Sequence, residues 1–257
     1  MKVIEKGKGE PQLVINGSLH GDEPAGKKAI EKILDEDLKF KKPVKFIIAN
    51  EKALDENRRY LEVDPNSSFP GNLESDKYEE RLAAKITEEI KGKTVLDIHT
   101  TRSTEKPFST TKSTDQETLK LVKDLNVENA VYFPEESGVL IEQAETGVIV
   151  ETGPQGTKKA EKDAYKILKN FLICQNAIEG ECKHSQPDLY KYTETVKGDW
   201  EFTAKNFHKV EKGQIYAEKE DKQLKAEKSF YPVLMSTDGY EGKLGYKAEK
   251  LDTNHIS

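Results

Sequence analysis

From Leu13 to about Asn176 the hydrophobic positions fall into two kinds of run that alternate along the chain. "QLVING", "VKFIIAN", "TVLDIH", "NAVYFP" and "GVIVETG" are short continuous apolar runs bounded by turn residues, the pattern of strands buried on both faces. Between them the apolar positions recur at helical spacing. In "PAGKKAIEKILDED" the stripe is Ala25, Ala29, Ile30, Ile33 and Leu34, with Pro24 near the first helical position. In "SDKYEERLAAKITEEIKG" it is Tyr78, Leu82, Ile86 and Ile90; Asp76 and Glu79 have the spacing of a capping box, and Gly92 marks the stop. "TDQETLKLVKDLN" and "TKKAEKDAYKILKNFLICQNAI" complete the helices. This alternation predicts an α/β fold with a mostly parallel, mixed central sheet and helices on both faces. Sites in such folds lie outside the C-terminal ends of the strands. Beyond "GECKHSQPD" the pattern shortens to "LYKYTETV", "GQIYAE" and "SFYPVLMS" with turns between them. The expected organisation is therefore an α/β domain over residues 1–183 and a small C-terminal β domain over 184–257.

The composition narrows the setting. A formal net charge of −6 and 34% charged residues give a well-solvated surface without the basic footprint of a nucleic-acid binder. No run reaches the roughly 20 apolar residues of a membrane-spanning helix, and the first residues lack a signal-like apolar core. Cys174 and Cys182 are the only cysteines, which suits a reducing compartment and argues against a disulfide framework. The expectation is a cytoplasmic protein with no nucleic-acid or membrane partner; a homodimer stays open. Arginine is rare: Arg58, Arg59, Arg81 and Arg102 stand among 41 basic residues. Its planar fork is suited to positions where geometry matters, although a lysine-rich codon preference explains the same count.

Two of the five histidines sit at strand exits, His20 after "LVINGSL" and His99 after "TVLDI". Strand exits on one edge of a parallel sheet are neighbours in space. Glu23 follows His20 by three residues across a turn marked by Gly21. Two imidazoles and one carboxylate are the protein ligands of a catalytic zinc, whose fourth position is open to water. Asp97, two residues before His99, shares its strand face and is a candidate to orient it. Histidines at strand ends also serve as hydrogen-bonded structural groups, so spacing alone leaves both readings open. His184, His208 and His255 lie in less regular surroundings and read as ordinary surface or packing histidines.

"NGSLHGDEPAG" followed by "LDIHTT" resembles the metal-binding pattern of the succinylglutamate desuccinylase/aspartoacylase family, within the zinc carboxypeptidase superfamily. Three further stretches resemble it in the expected order: "RRYLEVDPNSSFPG", "GVIVETGPQG" and "YPVLMSTDGY". The resemblance implies a zinc-carboxypeptidase-like fold and one Zn2+ held by His20, Glu23 and His99. It implies that Glu151 is the general base and later the general acid. Arg59 would stabilise the oxyanion, and Asn66 and Tyr240 would contact the substrate. Without it, Glu151 reads rather as a helix N-terminal carboxylate before "TGPQGTKKA". The implied activity is zinc-dependent hydrolysis of the amide bond of an N-acyl amino acid, with water attacking the carbonyl.

The chain departs from the family pattern at the substrate end. Asn66 is followed by Ser67 where an arginine is expected to grip a substrate carboxylate, and serine offers no charged fork. A second clamp arginine, expected shortly before the catalytic glutamate, is missing from "SGVLIEQAETG". Arg58 and Arg102 are candidates for an alternative clamp. Two other readings follow: a carboxypeptidase-like zinc peptidase, and a non-catalytic metal or metabolite binder. Retention of Glu151 speaks against the latter.

Overall fold

The continuous apolar runs become the middle of one large sheet. The computed structural model describes residues 1–252 apart from Glu136, Tyr240 and Glu241. In chain order the elements are β1 (Lys2–Lys6), β2 (Leu13–Gly17), α1 (Ala25–Asp35), β3 (Val44–Ile48), α2 (Glu51–Asp55) and α3 (Tyr78–Ile90). Next come β4 (Thr94–Thr101), β5 (Phe108–Thr111), α4 (Gln116–Asp124), β6 (Asn129–Tyr132), β7 (Thr146–Pro154) and α5 (Lys158–Cys174). The strands β8 (Asp188–Lys197), β9 (Glu201–Phe202), β10 (Ile215–Lys219), β11 (Lys222–Lys225), β12 (Tyr231–Val233) and β13 (Lys243–Lys250) follow. Ten strands form a sheet in the order β1-β3-β2-β4-β7-β5-β6-β8-β13-β12, and β11-β10-β9 form a second, small one. The β3-β2-β4-β7 block is parallel, as are β5-β6 and β6-β8. The β1-β3, β5-β7, β8-β13 and β12-β13 pairs are antiparallel.

Helices cover both faces of the sheet. Leu13, Ile15, Leu96, Ile98, Val148 and Val150 pack with α1, α4 and α5 on one side. On the other, Val14, Val95 and Ile149 pack with Leu82, Ile86 and Ile90 of α3. Side chains alternate along a strand, so Val14 and Asn16, Val95 with Asp97 and His99, and Ile149 with Glu151 share the α3 side. That face is apolar in the middle of the strands and turns polar at their C-terminal ends, which places the site.

Several local expectations are revised. Helix α3 begins at Tyr78 with Lys77 at its N-cap and no side-chain cap, so Asp76 and Glu79 do not form a capping box. Glu79 is fully buried and accepts backbone N–H bonds from Leu61, Glu62 and Val63 at 2.7, 3.1 and 3.3 Å. The strands beyond residue 184 are continuous with the large sheet through the β6-β8 pairing, while the three-stranded sheet lies within residues 201–225. Cys174 and Cys182 are joined in a disulfide, contrary to the free thiols that a count of two suggested. The chain leaving α5 returns over its last turn, bringing their Cα atoms to 4.8 Å; a cysteine count carries no information about such a return.

Candidate active site

Three adjacent parallel strands end at the same place. Strand β2 runs into a turn in which Ser18 takes a positive φ of 58° and His20 and Glu23 follow. Gly21 lets this turn lie directly on α2: a Cβ there would meet the Ala53 carbonyl carbon at 2.1 Å. Gly17 and Gly26 make a similar close approach, a Cβ on either meeting the other's backbone at 2.8 Å, which seats the start of α1 against the end of β2. Strand β4 contributes Asp97 and His99, and β7 sets Glu151 in register with His99.

His20, Glu23 and His99 are all buried, and one ligand atom from each lies within 4.8 Å of the others. His20 Nδ1 is 3.0 Å from Glu23 Oε1, and His99 Nδ1 is 3.3 Å from Glu23 Oε2. The outer nitrogens are held separately. His99 Nε2 lies 2.9 Å from Asp97 Oδ2, and His20 Nε2 lies 3.2 Å from Asp64 Oδ1. A carboxylate on the far side of each ring gives Nε2 an acceptor, so Nδ1 is the nitrogen each ring can offer to a cation in place of its proton, the arrangement of metal-ligating histidines. Asn16 donates to Asp97 Oδ1 at 2.7 Å, and the Thr100 N–H donates to Glu23 Oε2 at 2.8 Å. The donor set and its outer partners fit a divalent zinc-class cation.

Charge shapes each group. Burial opposes ionisation of Glu23, but the His20 charge and the contacts to both rings hold its carboxyl well below the usual range. Burial disfavours a charged His99, yet Asp97 and Glu23 pull it well above the ordinary histidine value. Asp64 is likewise opposed by burial and held low by His20 and Arg59. Glu151 goes the other way: desolvation pushes it up to about 8, with His99 only partly offsetting this. Its Oε2 is enclosed and has no hydrogen-bond partner among the described residues. A glutamate that is easily protonated beside a candidate cation site has the character of a general acid–base group.

Arg59 spans the site, its Nε donating to Asp64 Oδ2 and its Nη1 to Glu23 Oε1, both at 3.2 Å. Asn66 lies in a 3-10 turn, Pro65–Ser67, whose N-cap Asp64 accepts the Asn66 N–H at 2.9 Å. The Asn66 Oδ1 is buried and lacks a partner among the described residues. Ser67 is exposed and donates to the Asp64 carbonyl, so it does not reach the site. Arg58 points outward to Glu56 and the Leu61 carbonyl. Arg102, by contrast, lines a cavity of about 130 Å3 together with Asp22, Glu23, Arg59, Gln155 and Ser236. Its guanidinium donates to Gln155 Oε1 at 2.7 Å and to the Asp238 carbonyl at 3.2 Å. Tyr240, expected at this mouth, lies outside the described residues; its neighbour Gly239 lines the cavity. The sequence reading missed the parts played by Asp64 and Glu79. Asp64 carried a signal in "DPN", a capping acid before proline, but its partner His20 is 44 positions away.

The catalytic-domain model of succinylglutamate desuccinylase/aspartoacylase matches residues 9–172. The chain belongs to this family. Solved structures share the fold of the family throughout the chain. A succinylglutamate desuccinylase/aspartoacylase from Rhodobacter sphaeroides is 18% identical with a TM-score of 0.79, covering 97% of this chain and 89% of its own. The ectoine utilization protein EutE (DoeB) from Ruegeria pomeroyi, solved with product, is 17% identical with a TM-score of 0.77 over 97% and 88%. Murine aminoacylase 3 is 18% identical with a TM-score of 0.74 over 95% and 97%. No curated protein matches the chain in sequence. The activities in the family's name, desuccinylation and aspartate deacylation, are hydrolyses of amide bonds.

Proposed function

We propose that the protein is a zinc-dependent amidohydrolase that removes the acyl group from an N-acyl amino acid. The observation that carries this reading is the placement of Glu151. It stands in register beside His99, raised to about 8 by desolvation, at the edge of a buried His-Glu-His cluster. His20, Glu23 and His99 would hold one Zn2+, which when bound supplies a Lewis acid for the scissile carbonyl and acidifies a water to a pKa of about 7. Glu151 takes the proton of the attacking water and returns it to the amine nitrogen as the C–N bond breaks. Arg59, fixed by Asp64, offers a guanidinium to the negative charge that develops on the carbonyl oxygen. Asp64 and Asp97 keep both imidazole rings in the tautomer that presents Nδ1.

The small cavity, bordered by Leu234, Ser236 and Gly239, suits a compact acyl amino acid better than a polypeptide end. Arg102 is its remaining guanidinium and would take a substrate carboxylate in place of the arginines absent at Ser67 and before Glu151. A cytoplasmic location agrees with this reading, and no helix among the described residues is long and apolar enough to cross a membrane.

Glu151→Gln keeps the shape and removes the base. With the zinc-loaded variant assayed on a panel of N-acyl amino acids and short peptides, turnover is expected to vanish while bound zinc, measured by elemental analysis, remains near one per site. Turnover close to wild type removes Glu151 from the chemistry. Exclusive cleavage of peptides by the wild type replaces the deacylase reading with the peptidase one.

A further inference from the structure

On the opposite face of the sheet a second group of donors comes together. It contains both cysteines of the chain, one of its five histidines and a buried aspartate. We propose that Cys174, Cys182, His184 and Asp124, once the disulfide is reduced, form a closed tetrahedral site for a zinc-class cation that is separate from the catalytic centre.

One donor atom from each residue lies within 4.8 Å of the others. Tetrahedral zinc with Zn–S near 2.3 Å and Zn–N or Zn–O near 2.0–2.2 Å sets donors roughly 3.3–3.8 Å apart. Taking His184 Nδ1 as its donor, that nitrogen is 3.7 Å from Cys182 Sγ and 2.9 Å from Asp124 Oδ1, the latter shorter than the metal-bound spacing. The Asp124 side chain is fully buried. Its Oδ2 is already engaged, accepting from Lys120 Nζ at 2.8 Å and Gln175 Nε2 at 2.6 Å. Its Oδ1 has no hydrogen-bond partner among the described residues and lies 2.9 Å from His184 Nδ1 as an ion pair. A carboxylate with one oxygen anchored and the other near both sulfurs and the imidazole is placed to act as a monodentate ligand.

The backbone is arranged to match. Cys182 and His184 flank Lys183, whose N–H donates to Asn170 Oδ1 at 3.0 Å and whose carbonyl accepts from Asn170 Nδ2 at 2.8 Å. This clasp fixes the segment, and the Cys182 sulfur and the His184 ring meet on one side of it. Asp124 and Cys174 are the last residues of α4 and α5, where helix dipoles favour positive charge. Two thiolates, one carboxylate and Zn2+ leave a net charge of −1, which Lys120 offsets. With four protein ligands and no open position, the site is structural, tying the α5–β8 connection to α4.

The chemistry balances simply. A phosphine reductant cleaves the disulfide, takes oxygen from water to become its oxide, and leaves two thiols; each thiol releases a proton as its sulfur bonds the cation. A low-molecular-weight disulfide reverses the step by exchange, forming the Cys174–Cys182 bond and two small thiols and releasing the metal.

The test uses the full chain, reduced, desalted without oxygen and titrated with Co2+. His20, Glu23 and His99 offer no sulfur, so thiolate-to-cobalt charge-transfer absorption reports this site alone. The expected result is absorption that saturates by two Co2+ per chain, one of them taken up by the sulfur-free cluster, disappears when Zn2+ displaces it, and is abolished by oxidised glutathione. His184→Ala, a substitution at a side chain 55% exposed and so harmless to folding, should weaken Co2+ at this site at least about tenfold, as should Asp124→Asn. Absence of charge-transfer absorption in the reduced wild type overturns the proposal. Absorption and affinity unchanged in His184→Ala overturn the four-donor site.

Discussion

Asp97→Asn tests the logic of the site most directly. Asp97 is fully buried and makes two contacts, accepting from Asn16 Nδ2 at 2.7 Å and holding His99 Nε2 at 2.9 Å. Asparagine fills the same volume, and its carbonyl can still accept from Asn16. Its amide then faces His99 as a donor, so Nε2 must become the acceptor and the ring proton moves to Nδ1. That is the nitrogen 3.3 Å from Glu23 that must carry a lone pair to bind a cation. The lost charged hydrogen bond is worth about 1.5–3 kcal/mol, which at 1.4 kcal/mol per decade is about a 10–150-fold loss of zinc affinity. Outer carboxylate partners of metal-bound histidines typically contribute a factor of about 10–100, so the two estimates agree. Competition against a chromophoric chelator gives the affinity, and the metal-free chain should remain folded by circular dichroism. Zinc binding equal to wild type in a folded Asp97→Asn chain would refute the orientation argument and with it the assignment of His99 Nδ1 as a ligand.

Other perturbations follow from the same geometry. Arg102→Ala should raise KM for carboxylate-bearing substrates by roughly five- to tenfold with kcat nearly unchanged, a modest factor because the side chain is half exposed; an unchanged KM rules it out as the clamp. Gly21→Ala drives a methyl group into the Ala53 backbone and should cost about 1–3 kcal/mol in chemical denaturation, and an unaltered midpoint contradicts the close packing of that turn. The Glu151 carboxyl is raised in the folded chain from an ordinary 4.5 to about 8. As pH climbs through that window the unfolded chain ionises this group while the folded one keeps its proton, so stability falls. Metal-free wild type should therefore lose stability relative to Glu151→Gln between about pH 4.5 and 8, by an amount on the order of a few kcal/mol; a difference that stays flat across the window rejects the desolvated environment.

What could be read from the chain alone depended on local periodicity and on compact motifs. Strands β2, β3, β4, β6 and β7 announce themselves because burial on both faces demands continuous apolar residues. Helices α1, α3, α4 and α5 do so because one face must meet the sheet. Strand β1, "KVIEK", lies on an exposed edge and β5, "FSTT", is short and rich in hydroxyls, so neither carries that signature. The antiparallel insertion of β5 between β7 and β6 has no local trace at all. At the candidate site, His20, Glu23, His99 and Glu151 stand in short, ordered motifs at strand ends, and the structure brings these strand ends together. The groups that orient them were not. Asp64 meets His20 across 44 residues, and Glu79, which reads as a helix cap, turns instead to gather the backbone of residues 61–63. The meeting of Asp124 with Cys174, Cys182 and His184 is likewise invisible in one dimension, since it requires the ends of α4 and α5 and the returning loop to arrive at one point. Local sequence thus determined the elements and the candidate site groups, because propensity and side-chain identity are local properties. Tertiary structure alone decided strand order and the pairing of charges, because these depend on distances that only packing creates.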